Sequence, residues 1–277
     1  MKFGIIMFVT DESMGIVELA RAVEERGFES LFLPEHSHIP VEHCPWPGGP
    51  ELPRYYKRSL DLFTALGAAA AVTSRIQLGT GVCLVMQRDP IQLAKEVATL
   101  DQISGGRVLL GVGGGWNREE MADHGTDPSK RWKILRERVL ACKAIWTQDE
   151  AEFHGEYVDF APMWSWPKPS RVPPVLIGGD GAGTFERVLE YGDGWMPLSR
   201  FAPGAFATRF AELQKLAAER GRPSVPVSLF GAPPKAQLIA ECAELGVERC
   251  IFFASSAPAE VVLPELDAMA GLKGNLS

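Results

Sequence analysis

The chain has 277 residues, of which 46% are hydrophobic, and a formal net charge of −7. This size and composition suit a globular protein with a sizeable buried core, arranged as one large domain or two small ones. The charge is spread without long runs of one sign, which argues against nucleic acid as a partner. No stretch approaches the roughly 20 apolar residues of a membrane span, and the N-terminus lacks a basic segment followed by a long apolar one, so we expect neither a membrane span nor export.

Short apolar runs rich in β-branched residues recur along the chain and predict eight strands. They cover residues 2–8, 30–34, 76–82, 107–112, 174–177, 194–197, 225–230 and 249–254. Segments of helical periodicity alternate with them, at residues 14–26, 60–72, 90–103, 132–146, 184–191, 206–220, 235–245 and 259–269. Nearly all of the strands are apolar throughout, which is typical of parallel strands that are buried on both faces.

Eight such βα units can close into a barrel or lie open as a doubly wound sheet, and the chain length suits both. The count of eight favours closure, and so does the first βα turn, at residues 8–14, which lacks the G-x-G-x-x-G phosphate fingerprint of an open dinucleotide fold. No low-complexity linker divides the chain. The sequence therefore predicts an α/β protein with a (β/α)8 TIM barrel, formed by residues 1–277 as a single domain.

Two connections, residues 37–59 after the second strand and 148–172 before the fifth, are too long to be simple loops. The first lies on the catalytic face of a barrel and is rich in proline, glycine and aromatic residues. It predicts an active-site lid or wall, with a packing insertion as the alternative. Two groups of side chains could select the substrate, with packing as the alternative role: Trp46, Tyr55 and Tyr56 in the first connection, and Met163, Trp164 and Trp166 in the second. The aromatic lining of the first group suggests a hydrophobic or planar substrate.

Five cysteines occur without a C-x-x-C pair, and their odd number leaves at least one unpaired in any disulfide scheme: Cys44, Cys83, Cys142, Cys242 and Cys250. Free thiols in a reducing compartment fit this pattern, so we expect a cytoplasmic protein. The five histidines lack the spacing of a metal site, and the sequence has no G-x-S-x-G elbow or Walker loop. These observations argue against a metal site and against hydrolase or kinase activity.

Residues at the C-terminal ends of barrel strands are the first candidates for catalysis. Glu35 and His36 end the second predicted strand. A histidine at this position faces the barrel mouth and can donate a hydrogen bond or a proton near neutral pH, although a purely structural role is equally open. His38, two residues further on, has the same two interpretations.

Three other strand ends are rich in glycine. Residues 79–82 predict either a bulge at which the backbone approaches a flat molecule or a kink that barrel closure requires. Residues 113–115 offer exposed amides to the tail of a cofactor and precede an acidic helix start at 117–120. Residues 178–183 lead into a helix, so that loop amides and the helix dipole can bind a phosphate with Asp180 turned away, unless they form only a tight turn.

Together these segments resemble the luciferase-like monooxygenase superfamily, and within it the branch of deazaflavin (coenzyme F420)-dependent oxidoreductases. The resemblance covers nearly the whole chain. It is carried by KFGIIMF, LPEHSHIP, IQLGTGV, RDPIQLAKEVATLDQISGGRVLLGVGGGWNREEM, FHGEYVDF, PPVLIGGDG and GDGWMP.

The resemblance implies a TIM barrel that binds F420 or FMN, with the tricyclic ring in the mouth and the phosphate near the fourth and fifth strand ends. Gly81 and Val82 match a bulge, often with a non-prolyl cis peptide, that supports the ring. His36 matches the active-site histidine of many F420-dependent members, and we predict that it is catalytic. The predicted cofactor-binding residues are Glu35, Gly81, Val82, Gly114, Gly115, Trp116, Gly179, Asp180, Gly181, Ala182 and Gly183.

One departure from the family pattern concerns position 116. In the sugar-phosphate dehydrogenases of this branch a glutamate, proposed as the proton donor, follows the glycines of the fourth strand. This chain has Trp116 there, which argues against the same substrate and the same proton relay. His36 is then the best-placed proton donor that the sequence offers.

The expected activity is reversible hydride transfer between F420 and an organic substrate that stacks on its ring, with His36 bonding the reacting oxygen or delivering the accompanying proton. Two alternatives remain open. One is a two-component monooxygenase that takes reduced FMN from a separate reductase and reacts it with oxygen, and the other is an F420- or flavin-binding protein without catalysis. Expected partners are a small-molecule substrate, a flavin or F420 reductase, and a second copy of the chain. The resemblance alone implies this homodimer, formed through helices that follow early strands.

Overall fold

The computed structural model describes residues 1–202 and 204–272. The predicted domain, residues 1–277, therefore includes positions that lie outside the described residues. The strands of the described part are β1 (Lys2–Ile6), β2 (Ser30–Leu33), β3 (Gln77–Thr80), β4 (Val108–Val112), β5 (Ala151–His154), β6 (Asp159–Met163), β7 (Val175–Gly178), β8 (Gly194–Met196), β9 (Ser228–Phe230) and β10 (Arg249–Phe253). The helices are α1 (Ile16–Glu25), α2 (Leu62–Val72), α3 (Pro90–Ser104), α4 (Arg118–Asp123), α5 (Arg131–Thr147), α6 (Thr184–Tyr191), α7 (Ala205–Glu219), α8 (Ala236–Leu245) and α9 (Ala259–Gly271).

Eight parallel strands form one sheet in the order β8-β7-β4-β3-β2-β1-β10-β9. Its two edge strands meet and nearly close the sheet into a barrel. The backbone N–H of Trp195 donates to Pro226 O across 2.9 Å, and that of Phe230 donates to Pro197 O across 2.8 Å. Helices surround the sheet. The predicted (β/α)8 TIM barrel is confirmed, and each predicted strand and helix overlaps one of these elements.

The connection at 148–172 contains structure that the sequence analysis missed. β5 and β6 pair there as an antiparallel hairpin with an irregular register. The side chain of Glu137, on α5, holds its turn by accepting hydrogen bonds from three successive backbone N–H groups, at residues 156–158. The strands are four and five residues long and only partly buried, so they carry no continuous apolar run that would have marked them as strands.

Two glycines allow the strands to pack closely inside the barrel. A Cβ atom on Gly79 would lie 2.2 Å from the ring of Phe32, and one on Gly111 would lie 2.1 Å from the backbone oxygen of Thr80. Such distances leave no room for any side chain. Gly79 is therefore required by the packing of Phe32, a reason that differs from both the bulge and the kink that the sequence suggested for 79–82.

Parallel strands place all of their C-terminal ends at one rim of the barrel. This rim brings together the strand ends from which the candidate residues were chosen, since β2 leads into 34–36, β3 into 81–82, β4 into 113–116 and β7 into 179–183. The cysteines are all free thiols, of which four are buried and Cys44 is half-buried. Within the described ranges, none of the helices is both long and apolar enough to cross a membrane.

Candidate active site

A cavity of about 540 Å³ opens at this rim. It brings together much of the predicted site, because it is lined by Glu35, His36, Gly81, Val82, Gly114, Gly115, Trp116 and Gly179. The other predicted residues, 180–183, follow Gly179 onto the exposed surface and do not line the cavity.

Val82 follows a cis peptide bond that joins it to Gly81. Its side chain packs between two glycines from neighbouring strand ends. A Cβ atom on Gly113 would lie 2.8 Å from Val82 Cγ2, and one on Gly178 would lie 2.9 Å from Val82 Cγ1. Both glycines therefore make room for Val82, which together with Gly81 forms an apolar part of the cavity wall.

His36 is bonded through both ring nitrogens. Its side chain is 6% exposed, and Nδ1 lies 2.7 Å from Oε2 of Glu120. The indole N–H of Trp116 donates to Nε2 across 3.2 Å. An indole nitrogen can only donate, so Nε2 is the acceptor and Nδ1 carries the proton, which it donates to Glu120. His36 thus presents a basic nitrogen on the side of Trp116.

Glu120 is the functional residue that the sequence analysis missed. It lies in the first turn of α4, where Asn117 is the N-cap and its side chain accepts a hydrogen bond from the backbone N–H of Glu120. The carboxylate is 1% exposed and also accepts the backbone N–H of Ser37 across 3.0 Å. The Asn-x-x-Glu pattern signals a helix start, but not that the side chain reaches a residue 84 positions away.

Glu35 lines the cavity, but its carboxylate is already engaged with a loop. One oxygen accepts the backbone N–H of Leu84 across 2.6 Å, and the other accepts Nε of Arg88 across 2.6 Å. Arg88 in turn pairs with Glu96 on α3. Glu35 therefore fixes the segment that follows Val82 instead of presenting a free carboxylate to a ligand.

The insertion at 37–59 supplies an aromatic wall. Tyr56 lies at its centre, with ring centroids 4.6 Å from Phe8, 5.5 Å from Trp46 and 6.2 Å from Trp116. Tyr55 stacks on Tyr56 and lines an adjoining space of about 480 Å³. The insertion is thus a wall of the cavity, as one of its two interpretations predicted.

The second group of expected substrate-selecting side chains does not line this cavity. Trp164 and Trp166 are 73% and 58% exposed. Lys95, on α3, bonds the backbone oxygen of Trp166, which places this segment beside the outer helix layer. The expectation that residues 163–166 select the substrate is therefore wrong, because the β5–β6 hairpin carries them away from the barrel mouth.

The turn at 178–183 lies beside several arginines. Gly183 precedes α6 with φ = 74°, and no side chain caps the helix. Arg187 donates to the backbone oxygen of Ala182, and its guanidinium lies 3.9 Å from the ring centroid of Trp132. The guanidinium of Arg131 lies 5.2 Å from the centroid of the same Trp132 ring. The sequence predicted either a phosphate site made of backbone amides or a tight turn, and the structure places the cationic side chains of Arg131 and Arg187 near this turn.

Two further features describe the surroundings of this turn: its arginine side chains and its link to the glycines after β4. The Nε atoms of Arg131 and Arg187 are buried and have no hydrogen-bond partner among the described residues, and an unpaired buried donor is costly unless a ligand satisfies it. Trp132 connects this region to the glycines after β4, because a Cβ atom on Gly114 would lie 2.3 Å from its ring. Gly114 is accordingly buried beneath Trp132, although exposed amides were expected there.

Comparisons with known proteins agree with the fold. The sequence profile of the family described as luciferase-like monooxygenase matches residues 1–234. The uncharacterized protein Rv0953c of Mycobacterium tuberculosis is 42% identical over 259 residues, which are 91% of this chain and 91% of the relative. The F420-dependent glucose-6-phosphate dehydrogenase of Amycolatopsis mediterranei is 30% identical over 192 residues, which are 66% of this chain and 53% of that enzyme.

Solved structures share the fold at low sequence identity. The monooxygenase RslO1 from Streptomyces bottropensis superimposes with a TM-score of 0.81 and 20% identity over 100% of both chains. An F420-dependent secondary alcohol dehydrogenase in complex with an F420-acetone adduct gives a TM-score of 0.79 and 18% identity over 100% of this chain and 99% of that chain. The chain described here belongs to the luciferase-like monooxygenase family.

Proposed function

We propose that this protein is an F420-dependent oxidoreductase that transfers a hydride between the deazaflavin and an organic alcohol or its carbonyl product. One observation carries the proposal. His36 lines the rim cavity, and its Nε2 atom is unprotonated, so this nitrogen can accept a proton from a substrate. Two proteins similar to this chain are named as F420-dependent dehydrogenases, one of a sugar phosphate and one of secondary alcohols, and both names support an alcohol as substrate.

The residues at the rim fit such a cofactor. The apolar surface formed by Gly81 and Val82 suits a flat ring, and the turn at 179–183 with Arg187 suits a phosphate. We propose that Glu35, Gly114, Gly115 and Trp116 complete the cofactor site, with Glu35 acting through the loop that it holds. When bound, F420 supplies the carbon that accepts or gives the hydride.

His36 performs the acid–base part of the reaction. A substrate hydroxyl that replaces the Trp116 indole donates its hydrogen bond to Nε2, which takes the proton as the hydride leaves the adjacent carbon. In the opposite direction the same nitrogen returns the proton to the carbonyl oxygen. The aromatic wall around Tyr56 excludes water from this point and favours an apolar or planar substrate over a sugar phosphate.

Anaerobic titration with F420 and with FMN tests the cofactor, followed by a panel of secondary alcohols monitored by the absorbance of F420. We expect F420 to bind, FMN to bind far more weakly, and at least one alcohol to reduce F420. Tight binding of FMN with oxygen-dependent turnover would favour the two-component monooxygenase that takes reduced FMN from a reductase. F420 binding without turnover on any substrate would favour a non-catalytic binding protein.

We further propose that residues 1–277 form one domain and that the protein is a cytoplasmic homodimer. The family resemblance supports the dimer, and the free cysteines support a reducing compartment. Light scattering coupled to size exclusion tests the dimer. A mass near the 30.2 kDa of one chain would contradict it.

A further inference from the structure

One backbone donor fixes the orientation of the Glu120 carboxylate. The backbone N–H of Ser37 donates to Oε1 across 3.0 Å, and the Ser37 hydroxyl approaches the same oxygen at 3.4 Å. The hydroxyl is itself bonded to His124 Nε2, 2.7 Å away. Oε1 is therefore committed to Ser37, and only Oε2 faces the imidazole of His36.

Among the described residues, His36 is the only basic side chain paired with the buried carboxylate of Glu120. Nearby charged groups have other partners. Glu119 accepts the backbone N–H of Cys44, Asp123 pairs with His38, and Glu35 pairs with Arg88. A positive charge that forms on His36 is therefore met by one dedicated carboxylate in a site of low dielectric, where the attraction is strong.

We propose that Glu120 is a positioning residue for the reaction: it holds His36 in the Nδ1–H tautomer, which leaves Nε2 free to accept the substrate proton, and it stabilises the imidazolium that results. This inference rests on the proposed function for its catalytic consequence. The proton moves from the substrate hydroxyl to Nε2 and the Nδ1–H bond remains intact. The O–H electron pair becomes the second bond of the carbonyl, and the C–H electron pair leaves as the hydride that F420, when bound, would accept.

The orientation of the carboxylate makes the isosteric variant Glu120→Gln diagnostic. The backbone N–H of Ser37 requires the amide oxygen of the glutamine, so its NH2 group must face Nδ1 of His36. An NH2 group only donates, which forces Nδ1 to become the acceptor and moves the ring proton to Nε2. The variant keeps the shape of the site and inverts the tautomer. The new Nε2–H then opposes the indole N–H of Trp116.

The test is 15N NMR of the histidine side chains in protein without cofactor, which reports the tautomer directly. We expect the Nδ1–H form of His36 in the wild type and the Nε2–H form in Glu120→Gln. The matched control Glu119→Gln, one position away, should leave the Nδ1–H form. An Nε2–H form in the wild type, or an unchanged tautomer in Glu120→Gln, would overturn the proposal.

Two further measurements keep the test decisive. If Glu120→Gln does not fold, the double variant Glu120→Gln with Trp116→Phe removes the opposing donor and allows the same NMR measurement of the His36 tautomer.

With F420 and an active alcohol, Glu120→Gln should lower kcat by roughly 10²–10⁴ and leave KM unchanged, as loss of an acid–base residue's correct tautomer does. Equal kcat in Glu120→Gln and Glu119→Gln would contradict the catalytic role. A failure of F420 chemistry in the wild type would refute the proposed function and leave the NMR result standing.

Discussion

The indole N–H of Trp116 donates a hydrogen bond to Nε2 of His36 across 3.2 Å. The indole thus occupies the nitrogen that the substrate hydroxyl uses in the proposed reaction. In that reaction the substrate displaces the indole before its own proton moves to His36.

Replacing Trp116 by phenylalanine removes this competitor and keeps an aromatic ring at the position. A hydrogen bond contributes about 0.5–1.5 kcal/mol net, so we expect KM for the alcohol to fall roughly two- to tenfold. Steady-state kinetics at saturating F420 measure the change. A higher KM would mean that the indole contacts the substrate favourably.

His36→Ala removes the proton acceptor itself. General acid–base catalysis contributes about 10²–10⁴-fold, so we expect kcat to fall by that order while F420 affinity stays largely intact. His154→Ala is a suitable control, because His154 is exposed and bonds Asp159 on the β5–β6 hairpin. Unchanged turnover in His36→Ala would remove His36 from the mechanism.

The barrel and the rim glycines were accessible from sequence because their signals are local. Each strand is a short apolar run, and His36 directly follows one of them. Glu120 was not accessible, since its contact with His36 forms only when β2, β3 and β4 pair and bring residues 84 positions apart together. Its local pattern identifies a helix start and nothing about the partner of its side chain.

Gly113 and Gly178 show a second limit of the sequence. Each stands in a glycine-rich strand end that suggested contact with a ligand, whereas the structure gives both a packing partner in Val82. A glycine signals that a Cβ atom has no room, but it does not say whether a cofactor or a neighbouring side chain fills the space.

Gly113→Ala tests this packing. The atoms closest to the added Cβ all belong to Val82, with the nearest at 2.8 Å, so we expect thermal denaturation to report a loss of about 1–3 kcal/mol from overpacking. Val82→Ala in the same chain should recover part of this loss. Gly67→Ala, in α2 with nothing within 4 Å, is the control and should be neutral or stabilising. Additive effects of the two changes at 82 and 113 would contradict the contact.

Arg187→Met tests the proposed phosphate contact. Methionine can still pack on Trp132 but carries no charge. Hydrogen bonds to charged groups contribute about 1.5–3 kcal/mol, so F420 affinity should fall roughly ten- to hundredfold, measured by fluorescence titration. A deazaflavin riboside without phosphate should bind both proteins equally. Arg136→Met, which removes an exposed ion pair with Glu190, is the control. If Arg187→Met loses the same affinity for F420 and for the riboside, Arg187 does not contact the phosphate.

The opposite end of the barrel contains a buried ion pair whose stability should depend on pH. Arg249, with its side chain 3% exposed, donates to both carboxylate oxygens of Glu29 at 2.7 Å and to the Ser228 hydroxyl. Burial acts to raise the pKa of Glu29, but the hydrogen bond and charge of Arg249 outweigh it, so the net pKa lies below the usual 4.5. A carboxyl with a lowered folded-state pKa stabilises the fold above its usual pKa, and this stability is lost as the pH falls through the lowered value.

Glu29→Gln should therefore be less stable than the wild type by roughly 1–3 kcal/mol at neutral pH, because Arg249 loses the nearer of its two ionic partners and keeps only Glu248 at 3.7 Å. The difference should shrink as the pH falls below 4.5, since protonation then removes the same charge from the wild type. Chemical denaturation across this range measures it, with the exposed Glu244→Gln as a control that should show no such difference. If the difference in the free energy of unfolding between wild type and Glu29→Gln stays constant from neutral to acidic pH, Glu29 acts through packing and not through its charge.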